Sequence, residues 1–324
     1  MALLDASSFL AGIVLLIAVA VAFFAGRRGG GGTGNSRSGS GGGGTGNSRS
    51  GSGGSGGFSR IADEHDTLEE VQAALRKAGL ESSELIIGVD FTKSNTWTGE
   101  RSFGGRSLHT VRAGAPNPYE RAVSVIGRTL EAFDDDNLIP AFGFGDRRTT
   151  DKSVFALGEG GAPCRGFGEV LSQYRSAAAS VSLSGPTSFV PLIDQAVAAV
   201  RQTGAYHILL IVADGQVSNR QANADAIVRA SDYALSIVMV GVGDGPWDEM
   251  EEFDDELPQR RFDNFQFVRA DGHRNDASFA LAALMEIPEQ FKTIRKLGLL
   301  GGAAAQPSAA LLPPQAARGK KKDC

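Results

Sequence analysis

Residues 206–215 read YHILLIVADG and form the most apolar strand that the sequence predicts. Two other runs share this character, ELIIGVDF at 84–91 and LSIVMVGVG at 235–243. Continuous apolar runs of this length, rich in β-branched residues, are typical of strands that are buried on both faces. Helical patterns follow each run along the chain. We therefore predict an α/β fold in which a doubly wound, mostly parallel sheet is flanked by helices.

Shorter strands and several helices complete this pattern. The shorter strands are expected at LIPAFGFGD (138–146), SVFAL (153–157) and FQFVR (265–269). Thr67 and Glu70 have the spacing of a capping box at a helix start, and Pro118 has the position of a first-turn proline. Helices are predicted over residues 67–79, 117–133, 167–180, 188–202, 219–234, 247–253 and 276–297.

The composition excludes several classes of protein. The 324 residues include only two cysteines, Cys164 and Cys324, which are too few for a disulfide scaffold or for zinc sites built on cysteine pairs. Residues 1–57 carry a net charge of +3 and residues 58–324 carry −8, for a total of −5. An acidic globular part argues against binding to the phosphates of a nucleic acid, so no nucleic acid partner is expected.

The N-terminus predicts a membrane anchor over residues 1–28. Residues 9–26 read FLAGIVLLIAVAVAFFAG and carry no charge, and a helix of this length just spans a bilayer. Arg27 and Arg28 follow at once, which favours a cytosolic location for the rest of the chain. A cleaved signal peptide, with its cleavage site near residues 18–20, is the alternative. It would make the globular part an extracellular adhesion domain.

A glycine-rich spacer separates the anchor from the globular part. The sequence GGGGTGNSRSGS occurs at residues 29–40 and again, without change, at 41–52. Residues 29–57 have almost nothing apolar to bury, so we predict a disordered linker there. Residues 302–324 are likewise expected to form a disordered tail, which leaves residues 58–301 as the folded domain.

Oxygen-bearing side chains follow two of the buried strands. Asp90, Thr92 and Ser94 form a D-x-T-x-S stretch after the first strand, and Asp214 follows the strand at 206–215. Thr187 lies in a loop between two predicted helices. Because ligands of parallel sheets bind beyond the carboxyl ends of the strands, the ends at 145–146 and 243–244 are further places to inspect.

This set of oxygens suits a hard divalent cation such as Mg²⁺ or Mn²⁺. Hydroxyls with only two carboxylates leave such an ion able to accept a further carboxylate from outside. The alternative is structural, because Asp and Thr commonly cap helices and fix turns.

Several longer segments of the sequence resemble those of a known protein family. They are GVDFTKSN, NPYERAVSVIGRTL, IPAFGFGD, SGPTSFVPLI, IVADGQVS and WDEMEEFDDELPQRRFDNFQFV. Between about residue 66 and residue 301, the chain resembles the A domain of copines, and in particular that of the plant copine-type RING ubiquitin ligases. The resemblance implies a von Willebrand factor A-like fold with a metal-ion-dependent adhesion site. Its five positions match Asp90, Thr92, Ser94, Thr187 and Asp214, with the hydroxyls on the metal and the aspartates often acting through water.

The resemblance leaves two classes of function. One is a membrane-tethered cytosolic binding module that recruits a partner protein through an exposed carboxylate of that partner. The other is a component, or a truncated form, of a copine-type ubiquitin ligase. A RING needs eight Cys and His ligands, and residues 302–324 offer one Cys and no His. We therefore expect no catalytic residue in this chain, and we expect a partner to supply any contact with the ubiquitination machinery.

The histidines, an acidic run and Cys164 are interpreted as residues without a catalytic or metal-binding role. The four histidines have no helical partners and are interpreted as surface or loop residues: His65, His109, His207 and His273. The acidic run at residues 134–136 is interpreted as a solvated helix surface. Cys164 has no neighbouring base in the sequence, so we do not expect it to be a nucleophile.

Overall fold

The computed structural model describes residues 66–257 and 260–301. The predicted anchor (1–28), linker (29–57) and tail (302–324) lie outside these residues. In the described part of the chain, every helix is too short or too polar to cross a membrane.

A six-stranded sheet forms the centre of the domain, in the order β4-β3-β1-β6-β7-β8. The five strands from β3 to β8 in this order run parallel, and β4 pairs antiparallel with β3 at the edge. Every residue of β6 and β7 is buried, as is every residue of β1 after the first. The mostly parallel sheet is therefore confirmed. The strands are β1 (Glu84–Asp90), β2 (Leu138–Ile139), β3 (Ala141–Phe144), β4 (Phe155–Ala156), β5 (Cys164–Arg165), β6 (His207–Ala213), β7 (Leu235–Gly241) and β8 (Phe265–Arg269).

The helices of the described residues pack in two main groups. In one group, α1 packs against α2, α7 and α8, and α2 packs against α3 and α7; in the other, α4 packs against α5. Because the central strands are buried on both faces, helices cover the sheet from both sides, as doubly wound folds require. The helices are α1 (Leu68–Ala78), α2 (Pro118–Leu130), α3 (Gly166–Ser180), α4 (Val190–Thr203), α5 (Arg220–Ala230), α6 (Asp248–Asp255), α7 (Asp276–Leu284) and α8 (Ile287–Lys296).

Two predicted elements are divided at prolines. The strand expected over 138–146 splits at Pro140: β3 joins the main sheet, while β2 pairs antiparallel with β5. Pro140 has no N–H to continue a ladder, although its carbonyl accepts a hydrogen bond from the Ile87 N–H at 2.9 Å. The helix expected over 276–297 likewise divides into α7 and α8, because Pro288 cannot donate to the carbonyl of Leu284.

Helices α1 and α2 both begin with a capping box. One cap is exposed and the other is buried, so the pair tests how burial changes the contribution of a cap to stability. Thr67 caps α1 at the surface, and its hydroxyl accepts from the Glu70 N–H at 3.3 Å. Asn117 caps α2 and is only 1% exposed; its Oδ1 accepts from the Glu120 N–H at 2.9 Å and its Nδ2 donates to the Tyr174 hydroxyl at 3.0 Å.

We predict that Asn117→Ala lowers the free energy of unfolding by about 2 kcal/mol and Thr67→Ala by about 1 kcal/mol or less. Both variants lose a cap, but only the first leaves a buried N–H, that of Glu120, without its cap and also removes the buried bond to Tyr174. Urea denaturation measures both values. Equal losses would show that the bond to Tyr174 adds nothing to the cap.

Candidate metal site at the carboxyl edge of the sheet

The two predicted aspartates lie at the point where the strand order reverses. From β1 the chain goes to β3 on one side and later returns to β6 on the other side. Strands β1 and β6 are neighbours and run parallel, with Val89 paired to Val212. Asp90 is the last residue of β1, and Asp214 follows directly after β6. Both carboxylates therefore occupy the crevice in which ligands of such sheets bind.

Four of the five predicted residues are linked by hydrogen bonds. The Thr92 N–H donates to Asp90 Oδ1 at 2.7 Å, and the hydroxyls of Thr92 and Ser94 lie 2.9 Å apart. The Ser94 hydroxyl donates to Asp214 Oδ1 at 2.9 Å. The D-x-T-x-S stretch therefore meets the carboxylate of Asp214 through Ser94, which a short 3-10 helix (Lys93–Thr96) positions.

The fifth residue, Thr187, reaches this edge through its backbone. Its N–H donates to the Ser218 hydroxyl at 3.1 Å, and its carbonyl accepts from the Ser218 N–H at 2.9 Å. Ser184, earlier in the same loop, accepts from the Lys93 N–H at 2.7 Å. Across the described residues, no hydrogen bond joins the Thr187 hydroxyl to the other four side chains. The loop of Thr187 is thus fixed between the segments that follow β1 and β6.

Burial leaves the Asp90 carboxylate poorly satisfied. Asp90 is fully buried, and its Oδ2 atom has no hydrogen-bond partner. Burial, and then the neighbouring charge of Asp214, raise the pKa of Asp90 well above its usual range. Burial also raises the pKa of Asp214. A divalent cation would satisfy the orphaned oxygen and offset the repulsion, so the residues present fit a hard metal ion.

Thr98 is a member of this site that the sequence reasoning missed. Its side chain is buried, and its hydroxyl donates to Asp214 Oδ2 at 2.6 Å. Both oxygens of Asp214 therefore accept a hydroxyl, one from Ser94 and one from Thr98. A signal was present, since Thr98 follows Ser94 by four residues in the same loop, but the five-position pattern does not include it.

His109 lies in a loop, as one half of its interpretation holds, but it is not a surface residue. The ring is 5% exposed and stacks between Phe91 and Tyr119, with centroid distances of 4.8 and 4.3 Å. Its Nε2 lies 2.8 Å from the Asp90 carbonyl oxygen, and its Nδ1 lies 2.9 Å from the Tyr174 hydroxyl. Burial lowers the pKa of His109 to about 4. His109 therefore supports the backbone at Asp90 as a neutral ring.

His207 is also buried, so its interpretation as a surface residue is wrong as well. It is the first residue of β6, and its Nδ1 lies 3.1 Å from the Ala205 carbonyl oxygen. His65 lies outside the described residues.

The other two strand ends at this edge have structural roles. The Asp146 carboxylate accepts the Thr149 N–H at 2.8 Å and fixes the turn after β3. The Asp244 carboxylate, beyond β7, accepts the N–H groups of Arg101 and Ser102 at 2.7 and 2.9 Å. Among the four strand ends at this edge, those of β1, β3, β6 and β7, the clustered oxygens come from the ends of β1 and β6.

A family model described as Copine matches residues 107–302, about three fifths of the chain. This chain belongs to the copine family. The E3 ubiquitin-protein ligase RGLG5 of Arabidopsis thaliana is 53% identical over 279 residues, which cover 79% of this chain and 64% of the relative. RGLG3, an E3 ubiquitin-protein ligase of the same plant, is 50% identical, with coverages of 74% and 71%. This copine-family chain spans between about half and two thirds of the first four such relatives.

Solved structures resemble the copine domain at low identity. A von Willebrand factor type A protein from Catenulispora acidiphila matches with a TM-score of 0.39 and 15% identity. The match covers 66% of this chain and 43% of the other.

A glycine of the copine domain packs directly against the site. Gly145, at the end of β3, has a φ of +76°, and a Cβ atom there would overlap the Thr92 methyl group and lie 3.4 Å from Asp90 Oδ1. Gly105 has a similar φ of +71°, but a Cβ atom there meets nothing within 4 Å. Substitutions at the two glycines therefore cause similar backbone strain, but only the one at Gly145 also disturbs the site.

We predict that Gly145→Ala lowers the free energy of unfolding by about 2–3 kcal/mol and weakens metal binding, whereas Gly105→Ala costs about 1 kcal/mol. The added methyl group of the first variant must displace the Thr92 side chain, while the second variant only strains its own backbone. Urea denaturation and calorimetric titration with Mn²⁺ test the pair. Unchanged metal affinity in Gly145→Ala would contradict a ligand role for Thr92.

A second group of acidic side chains lies at the opposite end of β1. Carboxylate oxygens of Glu84, Asp134 and Asp136 lie within 4.8 Å of one another. Burial, and then the charge of Asp136, raise the pKa of Glu84 to about 7. The interpretation of residues 134–136 as a helix surface is wrong, because they lie between a short 3-10 helix (Glu131–Phe133) and β2. Six residues of strand, about 20 Å, separate Glu84 from Asp90, so the two acidic groups are distinct.

Proposed function

We propose that this chain binds a partner protein through a divalent metal ion, Mg²⁺ or Mn²⁺. The ion would be held by Asp90, Thr92, Ser94, Thr187 and Asp214. The observation that carries the proposal is the fully buried Asp90 carboxylate, with one oxygen unpartnered and a second carboxylate beside it. A buried carboxylate pair of this kind is unfavourable without a cation.

The donor set supports binding of a partner's carboxylate. When bound, a divalent ion supplies a Lewis-acidic centre that takes oxygen ligands. The two aspartates balance its charge formally, but hydroxyls make up the rest of the set. Such an ion keeps a strong preference for a further anionic oxygen. The chain's own residues orient the ion and exclude water from its inner side, where Phe91 and His109 are buried.

Two measurements on the full chain test this proposal. Isothermal calorimetry with Mg²⁺ and with Mn²⁺ is expected to show one bound ion, and Asp90→Ala is expected to abolish the binding. With Mn²⁺ bound, water-proton relaxation reports the waters that remain on the ion. Adding N-acetyl-aspartate amide is expected to displace water and lower the relaxation enhancement. Absence of metal binding, or an unchanged enhancement at saturating carboxylate, would refute the proposal.

We also propose that residues 1–28 anchor the protein in a membrane with the copine domain in the cytosol. The charge-free run at 9–26 and the two arginines after it support this orientation. Protease digestion of microsomes that carry the tagged protein tests it, because a cytosolic domain is digested and a lumenal one is protected. Protection would instead favour the signal peptide and an extracellular adhesion domain.

A role in ubiquitination is the second candidate, favoured by the relatives that are named E3 ubiquitin-protein ligases. We propose that this chain would act there by holding proteins for ubiquitination. The test adds the full chain to E1, E2, ubiquitin, ATP and a RING-bearing relative. Ubiquitination of proteins bound to the chain should rise with wild type and not with Asp90→Ala. Equal products with and without the chain would exclude this role.

A further inference from the structure

We propose that the partner segment bound by this chain is acidic at several positions and carries one large apolar side chain. This inference rests on the proposed metal-dependent function and concerns the surface around the ion. That surface consists of Trp97 and of a basic rim, defined as Lys93, Arg147 and Arg148. One carboxylate of the segment would take the metal, further carboxylates would pair with the basic rim, and the apolar side chain would cover Trp97.

Trp97 directly follows the 3-10 helix that contains Ser94, and its side chain is largely open to solvent. It is 58% exposed, whereas the chain's other tryptophan, Trp247, is 7% exposed and packs near Phe267. Trp97 lies between Ser94 and Thr98 in the chain, and both of these hydroxyls bond to Asp214. Exposed tryptophans are frequent anchors of protein interfaces, because covering the indole buries a large apolar area. A partner that reaches the ion would therefore meet this indole.

The basic rim lies along the neighbouring strand ends. Lys93 stands between Thr92 and Ser94, and Arg147 and Arg148 follow Gly145 at the end of β3. Residues 182–184 run between these two segments: the Lys93 N–H donates to the Ser184 carbonyl at 2.7 Å, and the Arg147 N–H donates to the Ser182 carbonyl at 2.9 Å. The three basic residues thus belong to adjacent segments on one edge of the domain.

These three cations are exposed and lack internal partners. Over the described ranges, none of Lys93, Arg147 and Arg148 forms a salt bridge, whereas Arg101 on the same edge lies 3.9 Å from Asp244. They stand out because residues 58–324 carry a net charge of −8. A positive patch of this kind in an acidic protein attracts negatively charged partners and steers them toward the site. The metal's preference for carboxylates points the same way, so we favour an acidic protein segment over an anionic lipid surface.

Selection from a phage library of random dodecapeptides tests this inference with the full chain in Mg²⁺. Wild type is expected to enrich peptides with two or more Asp or Glu residues next to Trp, Phe or Leu. The enriched peptides are then synthesised, and their affinities are measured by calorimetry and by the fluorescence of Trp97. Trp97→Ala is expected to weaken binding about 10-fold or more, and Arg147→Glu by several-fold with a weaker salt dependence.

Matched controls distinguish the surface from general effects. Lys296→Glu reverses an exposed charge at the end of α8, and Leu138→Ala removes an apolar side chain that is 41% exposed in β2. Neither change should alter peptide affinity. The inference would be overturned by enrichment of peptides without acidic residues or by no enrichment at all. It would also be overturned if Trp97→Ala and Arg147→Glu bound the peptides with wild-type affinity.

The outcomes separate this inference from the proposed function. If the wild-type protein binds Mn²⁺ but selects no acidic peptide, the proposed metal site is supported and the proposed partner chemistry is refuted. Acidic peptides that bind equally with Mg²⁺ and with EDTA support the surface and refute the metal-bridged carboxylate. Binding to phosphatidylserine vesicles that Arg147→Glu abolishes, together with no binding of acidic peptides, would show a lipid-binding surface and would also overturn the inference.

Discussion

Asp90→Asn is expected to abolish stabilisation by metal while leaving the metal-free protein at least as stable as wild type. In wild type, a ligand present at about 100 times its Kd adds about 2.7 kcal/mol to the free energy of unfolding. The variant keeps the volume of Asp90 and an acceptor for the Thr92 N–H, but it removes a fully buried charge beside Asp214. Removing that charge relieves desolvation and repulsion in the metal-free state.

Thermal unfolding in EDTA and in excess Mg²⁺ measures both effects. Asp244→Asn is the matched control, because Asp244 lies on the same edge but accepts backbone N–H groups from residues 101 and 102. That control should lose some stability and keep the full gain from metal. If Asp90→Asn gained as much stability from Mg²⁺ as wild type does, the ion would lie elsewhere. If it unfolded in EDTA, Asp90 would be a structural residue.

His109→Ala is expected to lower the free energy of unfolding by about 3 kcal/mol or more. The change removes a ring stacked between Phe91 and Tyr119, together with its contacts to the Asp90 carbonyl and to the Tyr174 hydroxyl, which keeps its bond to Asn117. A buried aromatic ring and two buried polar groups each contribute on this scale. His273→Ala is the control, because His273 is only half-buried and should cost about 1 kcal/mol.

The same histidine should make the protein sensitive to acid. The pKa of His109 is lowered to about 4 in the folded state, from 6.5 in a solvated histidine. Its contribution to stability is therefore complete above pH 6.5 and is lost as the pH falls toward 4, with a total on the order of 3 kcal/mol. The difference in unfolding free energy between wild type and His109→Gln, measured in EDTA, should shrink over this range. A constant difference from pH 7 to pH 4 would contradict a neutral buried ring.

The sheet could be predicted from the sequence because its central strands are unusually uniform. The runs at 84–91, 206–215 and 235–243 are continuously apolar, and their short length and β-branched residues favour a buried strand over a buried helix. The two-residue strands β2 and β5 could not be predicted in this way. Their pairing depends on Pro140 and on the return of residues 164–165 from a distant part of the chain, and periodicity does not report either.

The side chains that gather at the candidate site were predictable from the sequence, whereas the residues that support them were not. The D-x-T-x-S spacing indicated that Asp90, Thr92 and Ser94 act together, although Ser94 lies in a short 3-10 helix (Lys93–Thr96) and not on an extended segment. Thr98 and His109 act from beyond this segment, and their roles depend on how the loop at 95–110 folds back over the sheet. Nothing in the residues near His109 indicates burial, since its contacts come from Asp90, Tyr119 and Tyr174.

The pairing of β1 with β6 also affects how fast the domain folds. Glu84 pairs with His207, so the central contact of the sheet joins residues more than a hundred positions apart, and every crossover between parallel strands adds to this non-local character. Such topologies fold slowly, because long loops must close before their contacts form. Since Asp90 and Asp214 meet only after this pairing, metal should slow unfolding and leave the refolding rate unchanged. If the proposed ion binds at Asp90 and Asp214, a nascent chain can acquire it only after residues beyond 214 have emerged.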